Sequence, residues 1–416
     1  MKKKILLIRP AAPDKSAFST TEKRAPIGIA SLISVLRHRG HEVKFVDMYI
    51  GECCNGVEID KFSPDYVGMY LDTITFDEAL FSLKELNSIR EYLAKSKKWF
   101  KIMVGGPHST LRTQDIPKFV DYIVQGEGEE AIVRIVEDGE DNRIIKDPYI
   151  EDLDEIPMPD YDELYEHNYD WTAPEIHSKK VAIMSTSRGC PYKCKFCSAF
   201  ELWGCKYRFM SADKIIEHVK YLKDNHNIDG IYFREDNFIA NVKRTKEFCE
   251  KIIRYKIPWK CEARVNNLTD EMITLLANSG CAALYIGVES GSQKILDLMN
   301  KGIKVEDTKR VFKRLKEVGI KGYASIIVGF PGETTDDMNK TTELIREIEP
   351  HTTWWNVFTG LPGSEAYDMM DCWYEGEWGM RYPIYWNMYA NRFYGEGIPW
   401  RVPIDKYKLV NGGKRK

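Results

Sequence analysis

No apolar run in the chain approaches the ~18 residues that a membrane span needs. The basic start at Lys2–Lys4 leads into a strand pattern, not a secretory hydrophobic segment. An excess of either charge is also missing. The 60 Lys and Arg against 63 Asp and Glu leave a formal net charge of −3, which provides no electrostatic footprint for nucleic acid. The basic ends, Lys2–Lys4 and Lys414–Lys416, read as solvated termini. A disulfide framework is absent too: 10 cysteines are spread over 416 residues, which suits a reducing cytosol and predicts a cytoplasmic protein without membrane or nucleic-acid partners. The adjacent Cys53 and Cys54 have no companion histidines for a metal and read as structural or incidental.

What the chain does have is the run Gly189-Cys-Pro-Tyr-Lys-Cys-Lys-Phe-Cys197, with thiols at Cys190, Cys194 and Cys197. Composition alone would produce about 0.006 such triplets. Three thiolates on one short loop can hold three irons of a cubane cluster. The fourth iron then stays open to a small molecule that can receive an electron. A structural zinc site is the competing reading; it normally closes with four ligands, and Cys205 is the only nearby fourth. The C-x₃-C-x₂-C spacing is not a usual zinc pattern.

Hydrophobic residues at 43% and charged residues at 30% describe a globular protein with an ample core. The length suggests two or three domains of roughly 150 residues each. Residues 1–140 alternate strand and helix. Apolar runs at 4–9, 42–47, 66–71, 101–104 and 122–124 read as strands. A helix opens after Pro26 and stops at Gly40, and another covers 76–93. That pattern predicts a Rossmann-like, doubly wound parallel sheet, whose ligands bind at the carboxyl ends of the strands. Glycine turns stand there: Gly105-Gly106-Pro107-His108 and Gly126-Glu127-Gly128. Glycine lets backbone approach a large ligand without a Cβ in the way. Residues 141–178, with Pro148, Pro157, Pro159 and Pro174, read as an interdomain linker, not a folded unit.

From 179 to 362 six strand–helix units follow, with strands at 181–185, 230–233, 260–264, 283–288, 323–328 and 353–358. They predict a partial (β/α)₆ barrel with its chemistry at the carboxyl ends. Arg264 closes the third strand, and its planar guanidinium suits a carboxylate. Residues 363–416 change character, with ten aromatics between Cys372 and Trp400. They read as a small C-terminal cap, a substrate-recognition segment, or both.

The cysteine run resembles the signature of the radical S-adenosylmethionine (SAM) superfamily, and the first domain resembles the cobalamin-binding domain that precedes many such barrels. The second likeness rests on Ala25-Pro-Ile-Gly28, Arg39-Gly-His-Glu-Val43, Gly105–His108, Gly126–Glu130 and the linker phrase Leu153-Asp-Glu-Ile-Pro-Met-Pro-Asp160. The resemblance implies a [4Fe-4S] cluster on Cys190, Cys194 and Cys197, with SAM at the open iron and cobalamin (as methylcobalamin) on the first domain. It implies that Glu235 and Asp236 face the SAM amino group or the substrate, and that Arg264 meets the SAM carboxylate. Glu289 and Ser290 would lie near the ribose and methionine, and Phe196 and Ile327 near the adenine. Around cobalamin it implicates Leu71, Asp72 and Thr73 at the lower face, together with Gly105, Gly106, His108, Gly126, Glu127 and Gly128. The Asp-x-His-x-x-Gly motif that ligates cobalt in mutases does not occur before residue 150. The near miss Asp224-x-His226-x-x-Asp229 lies in the other domain and ends in Asp. The expected lower face therefore carries no histidine.

The resulting expectation is a cobalamin-dependent radical SAM C-methyltransferase. It would methylate an unactivated carbon by way of methylcobalamin and a 5′-deoxyadenosyl radical. Length and aromatic tail resemble the methanogen enzymes that methylate a glutamine carbon of methyl-coenzyme M reductase. That likeness implies a peptide or protein substrate, with a ferredoxin or flavodoxin as reductant. Cyclisation or rearrangement by the same two cofactors stays open, as does a non-catalytic corrinoid carrier or sensor. Methylthiotransferases need three more N-terminal cysteines, which Cys53 and Cys54 do not supply.

Overall fold

A computed structural model of the chain describes residues 1–12, 23–367 and 369, with the backbone of three short strands beyond them. The chain divides into two compact units, Met1–Glu151 with Glu155–Asp170, and Asp152–Asp154 with Trp171–Lys416. Among the described residues no helix is long and apolar enough to cross a membrane.

The first unit runs β1 (Lys4–Arg9), α1 (Ile27–His38), β2 (Glu42–Asp47), α2 (Gly56–Phe62), β3 (Tyr66–Tyr70), α3 (Phe76–Ala94), β4 (Lys101–Gly105), α4 (Pro107–Leu111), β5 (Tyr122–Gln125), α5 (Glu129–Glu137), β6 (Ile144–Lys146) and α6 (Tyr161–Tyr165). The strands form one parallel sheet in the order β2-β1-β3-β4-β5-β6. The order reverses beside β1, which creates the crevice that open α/β sheets use for ligands. Strand β1 is buried from Ile5 to Ile8 because helices cover both faces of such a sheet. On one face α1 contributes Ile29, Ile33 and Leu36, and α5 contributes Ile132, Ile135 and Val136, to one apolar cluster. Their three- and four-residue spacing is the helical stripe that the sequence shows.

The connecting stretch 141–178 contains short elements, β6, α6 and a helical turn at Pro174–Ile176. Strand β6 is three residues long with only Ile145 buried, too short to display a period. Helix α6 starts where the Asp160 side chain accepts from the Glu163 N–H at 3.0 Å. Long-range polar contacts then hold it down. Arg37 reaches Asp160 at 2.8 Å and Glu163 at 2.7 Å. His167 lies 2.5 Å from Glu52 and 3.4 Å from Glu163. The Tyr169 hydroxyl donates to the buried Asp47 at 2.5 Å.

The second unit is built from β7 (Val181–Met184), β8 (Ser187–Arg188), α7 (Ala199–Trp203), β9 (Arg208–Phe209), α8 (Ala212–His226), β10 (Gly230–Phe233), α9 (Val242–Ile252), β11 (Trp259–Ala263), α10 (Asp270–Asn278), β12 (Cys281–Glu289), α11 (Gln293–Leu298), α12 (Val305–Val318), β13 (Lys321–Val328), α13 (Thr335–Ile348) and β14 (Thr352–Val357). Six strands form an open parallel sheet, β7-β10-β11-β12-β13-β14, with consecutive neighbours joined through helices. This is the (β/α)₆ partial barrel. Polar N-caps start its crossover helices: Ser211 for α8, Asn241 for α9, Thr269 for α10 and Thr334 for α13. Between sheet and helices, Phe233, Phe238 and Phe248 pack on Trp259, with ring centroids 5.4–5.9 Å from the indole. The Trp259 ring N–H is satisfied by the Ser279 carbonyl at 3.0 Å.

Beyond the barrel the backbone forms a three-stranded antiparallel sheet, with β15 (Cys372–Glu375) between β16 (Arg381–Pro383) and β17 (Lys408–Asn411). The aromatic side chains expected to cap the barrel, among them Trp378, Tyr385, Trp386, Phe393 and Trp400, lie outside the described residues.

Glu163 and Glu52, on its two ring nitrogens, raise His167 to about 9 against the opposing effect of burial. Because the folded value exceeds the ordinary one near 6.5, this clamp contributes fully below about pH 6.5 and fades as pH rises through about 9. The Tm advantage of the native chain over a His167→Gln variant should therefore be largest near pH 6.5 and shrink by about pH 10. A Tm difference that stays constant across that range would contradict the clamp.

Candidate active site

The three cysteines occupy the loop between β8 and α7, whose base is closed by β8 pairing with β9. All three are free thiols. The loop is held by bonds to two other segments. Lys195 N–H donates to the Met299 carbonyl at 2.9 Å, and the Asn300 amide donates to the Lys193 carbonyl at 2.8 Å. Ala366 N–H donates to the Lys195 carbonyl at 2.7 Å. Among the described residues no three His, Cys, Asp or Glu side chains converge as a closed metal site. The donor chemistry nevertheless fits a cluster. Three accessible thiols share one loop, Cys197 Sγ accepts from the Ala199 N–H at 3.4 Å, and Cys194 Sγ accepts from Arg264 Nη1 at 3.0 Å. Burial raises the Cys190 thiol, and the charges of Asp236 and Cys194 add to this while Arg264 opposes it. A bound cation reverses that balance by favouring thiolate.

Beside the loop lies a buried ion pair. Lys301 Nζ stands 2.6 Å from Glu289 Oε1, and the two side chains are 5% and 7% exposed. A Cβ on Gly287 would overlap both charged tips, so the absence of a side chain there gives the pair its present position. Glu289 itself has φ +64°, the left-handed region, a local cost of roughly 1–3 kcal/mol for a non-glycine residue. The Lys301 ammonium also sits 5.5 Å from the centroid of Phe196, between two cluster cysteines. Arg264 points into the same place. Its guanidinium donates to Cys194 and to the Lys301 carbonyl, and lies 3.8 Å from the centroid of the Tyr192 ring.

The other expected SAM residues divide into inward and open groups. Glu235 is turned inward, accepting from Thr186 and Ser187 and standing 3.9 Å from the buried Arg244. Its neighbour Asp236 is exposed and acts electrostatically on both Cys190 and Cys197. Ser290 is buried, with its hydroxyl 3.2 Å from that of Thr341. Phe196 and Ile327, half-buried, pack against one apolar cluster of Ile295, Met299, Phe330 and Phe358. Such an apolar edge beside the cysteine loop fits an adenine ring.

In the first unit, the loops after β3, β4 and β5 are locked together. Leu71 N–H donates to the Gly105 carbonyl at 2.8 Å, His108 N–H to the Leu71 carbonyl at 3.0 Å, and Gly126 N–H to the Thr110 hydroxyl at 2.9 Å. Gly106 has φ +108°, and a Cβ there would press on the Leu71 carbonyl at 2.6 Å. Leu71 is fully buried, and Asp72 turns back to accept from the Thr75 N–H at 2.8 Å. His108 is 0% exposed. Its ring stacks on Phe76 at 3.8 Å, with Thr73 Oγ1 3.1 Å from Nδ1 and Asp115 3.4 Å from Nε2. Burial lowers it to about 4, so it is a neutral imidazole inside the protein and it props the Thr73 loop. Glu127 accepts from the Ile150 N–H at 2.6 Å, and Gly128 lets Leu32 pack close by. The rim fits a ligand with polar groups: the buried hydroxyls of Thr75 and Ser109 have no hydrogen-bond partner among the described residues.

Sequence reasoning did not single out Lys301 or Glu262. Glu262 accepts from the Tyr232 hydroxyl at 2.6 Å, and burial pushes its carboxyl up to about 7. A signal for it was present, because Lys260, Glu262 and Arg264 alternate with apolar residues along β11 and mark a polar inner face. Lys301 follows a short helix and has no periodic signature.

A family model described as the radical SAM superfamily matches residues 184–345, and one described as the B12 binding domain matches residues 19–136. An uncharacterized methyltransferase of Pyrococcus horikoshii is 29% identical over 394 residues, covering 88% of this chain and 82% of the relative. An anaerobic magnesium-protoporphyrin IX monomethyl ester cyclase of Rubrivivax gelatinosus is 26% identical, covering 82% of this chain and 65% of that one. Among solved structures, the radical S-adenosylmethionine methyltransferase TsrM of Kitasatospora setae, with cobalamin and a [4Fe-4S] cluster bound, superposes with TM-score 0.68 at 17% identity. It covers 88% of this chain and 77% of that chain. The cobalamin-dependent S-adenosylmethionine radical enzyme OxsB with aqua-cobalamin and S-adenosylmethionine bound gives TM-score 0.72 at 18% identity, covering 88% and 60%. These likenesses show the fold.

Lys301→Met would leave the Glu289 carboxylate buried and unpaired, which should cost about 3–5 kcal/mol. Denaturant unfolding of the full chain reads this directly. Unchanged stability would mean that the pair is not a structural element of the site.

Proposed function

We propose, for a chain that belongs to the cobalamin-dependent radical SAM methyltransferase family, that the reaction is C-methylation of an unactivated carbon in a peptide substrate. When bound, the cluster and SAM supply a radical generator and cobalamin supplies a methyl group. The observation that carries the reading is the presence, on one chain, of an intact cysteine loop beside an apolar Phe196–Ile327 edge and a locked glycine rim whose histidine is spent inside the protein. Cys190, Cys194 and Cys197 would hold the cluster, and the segment Met299–Lys301 fixes their loop. The half-buried Phe196 and Ile327 would exclude water from the adenine. His108, behind Thr73, would keep the loop after β3 in place without touching the metal.

Several features favour a peptide. Pairing of β13 with β14 sets Ser325 beside Trp354 and Ile327 beside Asn356, so these four share one sheet face. Trp354 is 47% exposed and stacks on Tyr285 at 4.9 Å. An exposed indole next to an amide and a hydroxyl suits a peptide backbone with an apolar side chain. Within that class, we propose a glutamine-containing segment of methyl-coenzyme M reductase, on the likeness of length and tail, with a ferredoxin or flavodoxin as electron donor. The second reading is ring formation on a tetrapyrrole, favoured by the 26% identity with the cyclase of Rubrivivax gelatinosus.

The test is anaerobic turnover with methyl-labelled SAM and, in parallel, a glutamine peptide of methyl-coenzyme M reductase and a magnesium-protoporphyrin monomethyl ester. The expected result is 5′-deoxyadenosine and S-adenosylhomocysteine together, with labelled methyl on a peptide carbon. Cys194→Ala should abolish deoxyadenosine while keeping bound corrinoid. Ring closure of the porphyrin with no labelled peptide would contradict the methylation reading.

A further inference from the structure

Arg264 was expected to meet a carboxylate, yet its guanidinium is already engaged on several sides. Nη1 donates to Cys194 Sγ at 3.0 Å, Nη2 donates to the Lys301 carbonyl, and Nε faces Asn266 Oδ1 at 3.4 Å. One flat face lies 3.8 Å from the Tyr192 ring centroid, and the residue is 5% exposed. A planar fork with one face and three directions occupied has little freedom left to swing toward another anion.

The two loop residues it touches are Cys194 and Tyr192, the second of which lies between the first two cysteines. The Tyr192 hydroxyl donates to Asn267 at 3.2 Å, so the ring is fixed at its far end. The carbonyl that anchors the guanidinium belongs to Lys301, whose own N–H donates to the Leu296 carbonyl at 3.0 Å. Arg264 is therefore bolted to the same segment that grips the cysteine loop through Met299 and Asn300.

Resting on the reading that the three thiols carry a [4Fe-4S] cluster, we infer that Arg264 tunes that cluster and holds its loop through Cys194, and that it is not the SAM carboxylate ligand. A hydrogen bond from a cation to a ligating sulfur withdraws electron density from the thiolate. It favours the reduced, more negative cluster over the oxidised one and raises the midpoint potential. The same bond restrains one of three ligands, which slows loss of iron. The group thus acts on the ease with which the external reductant loads an electron.

The experiment uses the full chain, reconstituted anaerobically, as native protein, Arg264→Lys and Arg264→Gln. Tyr192→Leu is the second test, because it removes the platform and keeps the guanidinium. Three quantities are read without turnover: the cluster midpoint potential from an EPR-monitored titration, the rate of iron loss to a chelator, and SAM affinity. The potential should fall from native to Arg264→Lys and further to Arg264→Gln, or the cluster should leave faster in that order. Tyr192→Leu should change both in the same sense but less. SAM affinity should stay within about threefold. An unchanged potential and unchanged iron loss, or a loss of SAM affinity of about tenfold or more with the potential unmoved, would overturn the inference. A native chain that takes up no cluster would instead contradict the functional reading on which it rests.

Discussion

The barrel unit depends on one buried charge pair. Lys301 and Glu289, 2.6 Å apart and almost fully enclosed, sit where β12 ends and the segment after α11 begins. A pair of this kind contributes little net stability, since desolvation offsets much of the attraction. What it does is permit one arrangement. Glu289 holds a left-handed backbone state, and the missing Cβ at Gly287 leaves the space in which the two charged tips meet. Once Lys301 is placed, its carbonyl fixes Arg264, and Met299 and Asn300 fix the cysteine loop. A loop of otherwise irregular backbone is thereby held in place from outside, in line with the need to preorganise reactive groups.

The first unit solves a different problem with the same alternation of parallel strands and helices, in another strand order. Its parallel strands deliver three loops to one edge, and those loops are tied to one another by two backbone bonds and by the Thr110 hydroxyl before any ligand arrives. The glycines keep the rim low, and the one histidine of the Gly-Gly-Pro-His turn is consumed as an internal prop against Phe76 and Asp115. A metal presented to such a rim meets no imidazole from His108.

Elements came out of the sequence well where burial is periodic. The runs at residues 4–9 and 230–233 are strands with those same bounds because they are interior, apolar strands covered on both faces, whereas 42–47, an edge strand, keeps its bounds through its alternation of polar and apolar residues. The short elements inside the connector carried no sequence period, because β6 has a single buried residue and α6 is held by the distant Arg37. At the site, the motif residues stand at strand ends, but the direction of their side chains was not legible in the sequence. Glu235 looked open at the end of β10, yet α9 returns Arg244 across it. Arg264 looked free for a carboxylate until the fold brought Cys194 to 3.0 Å. Such outcomes depend on contacts between residues about 10 to 70 positions apart, which spacing does not encode.

The central claim is that this chain carries two cofactors, one on each unit. The most direct measurement is iron, sulfide and corrinoid content per chain after anaerobic reconstitution, with optical and EPR spectra of the purified protein. The account predicts one cubane cluster and one corrinoid per chain, the corrinoid showing no histidine nitrogen on cobalt. A chain that binds the cluster but no corrinoid, or the corrinoid with a histidine ligand, would contradict it.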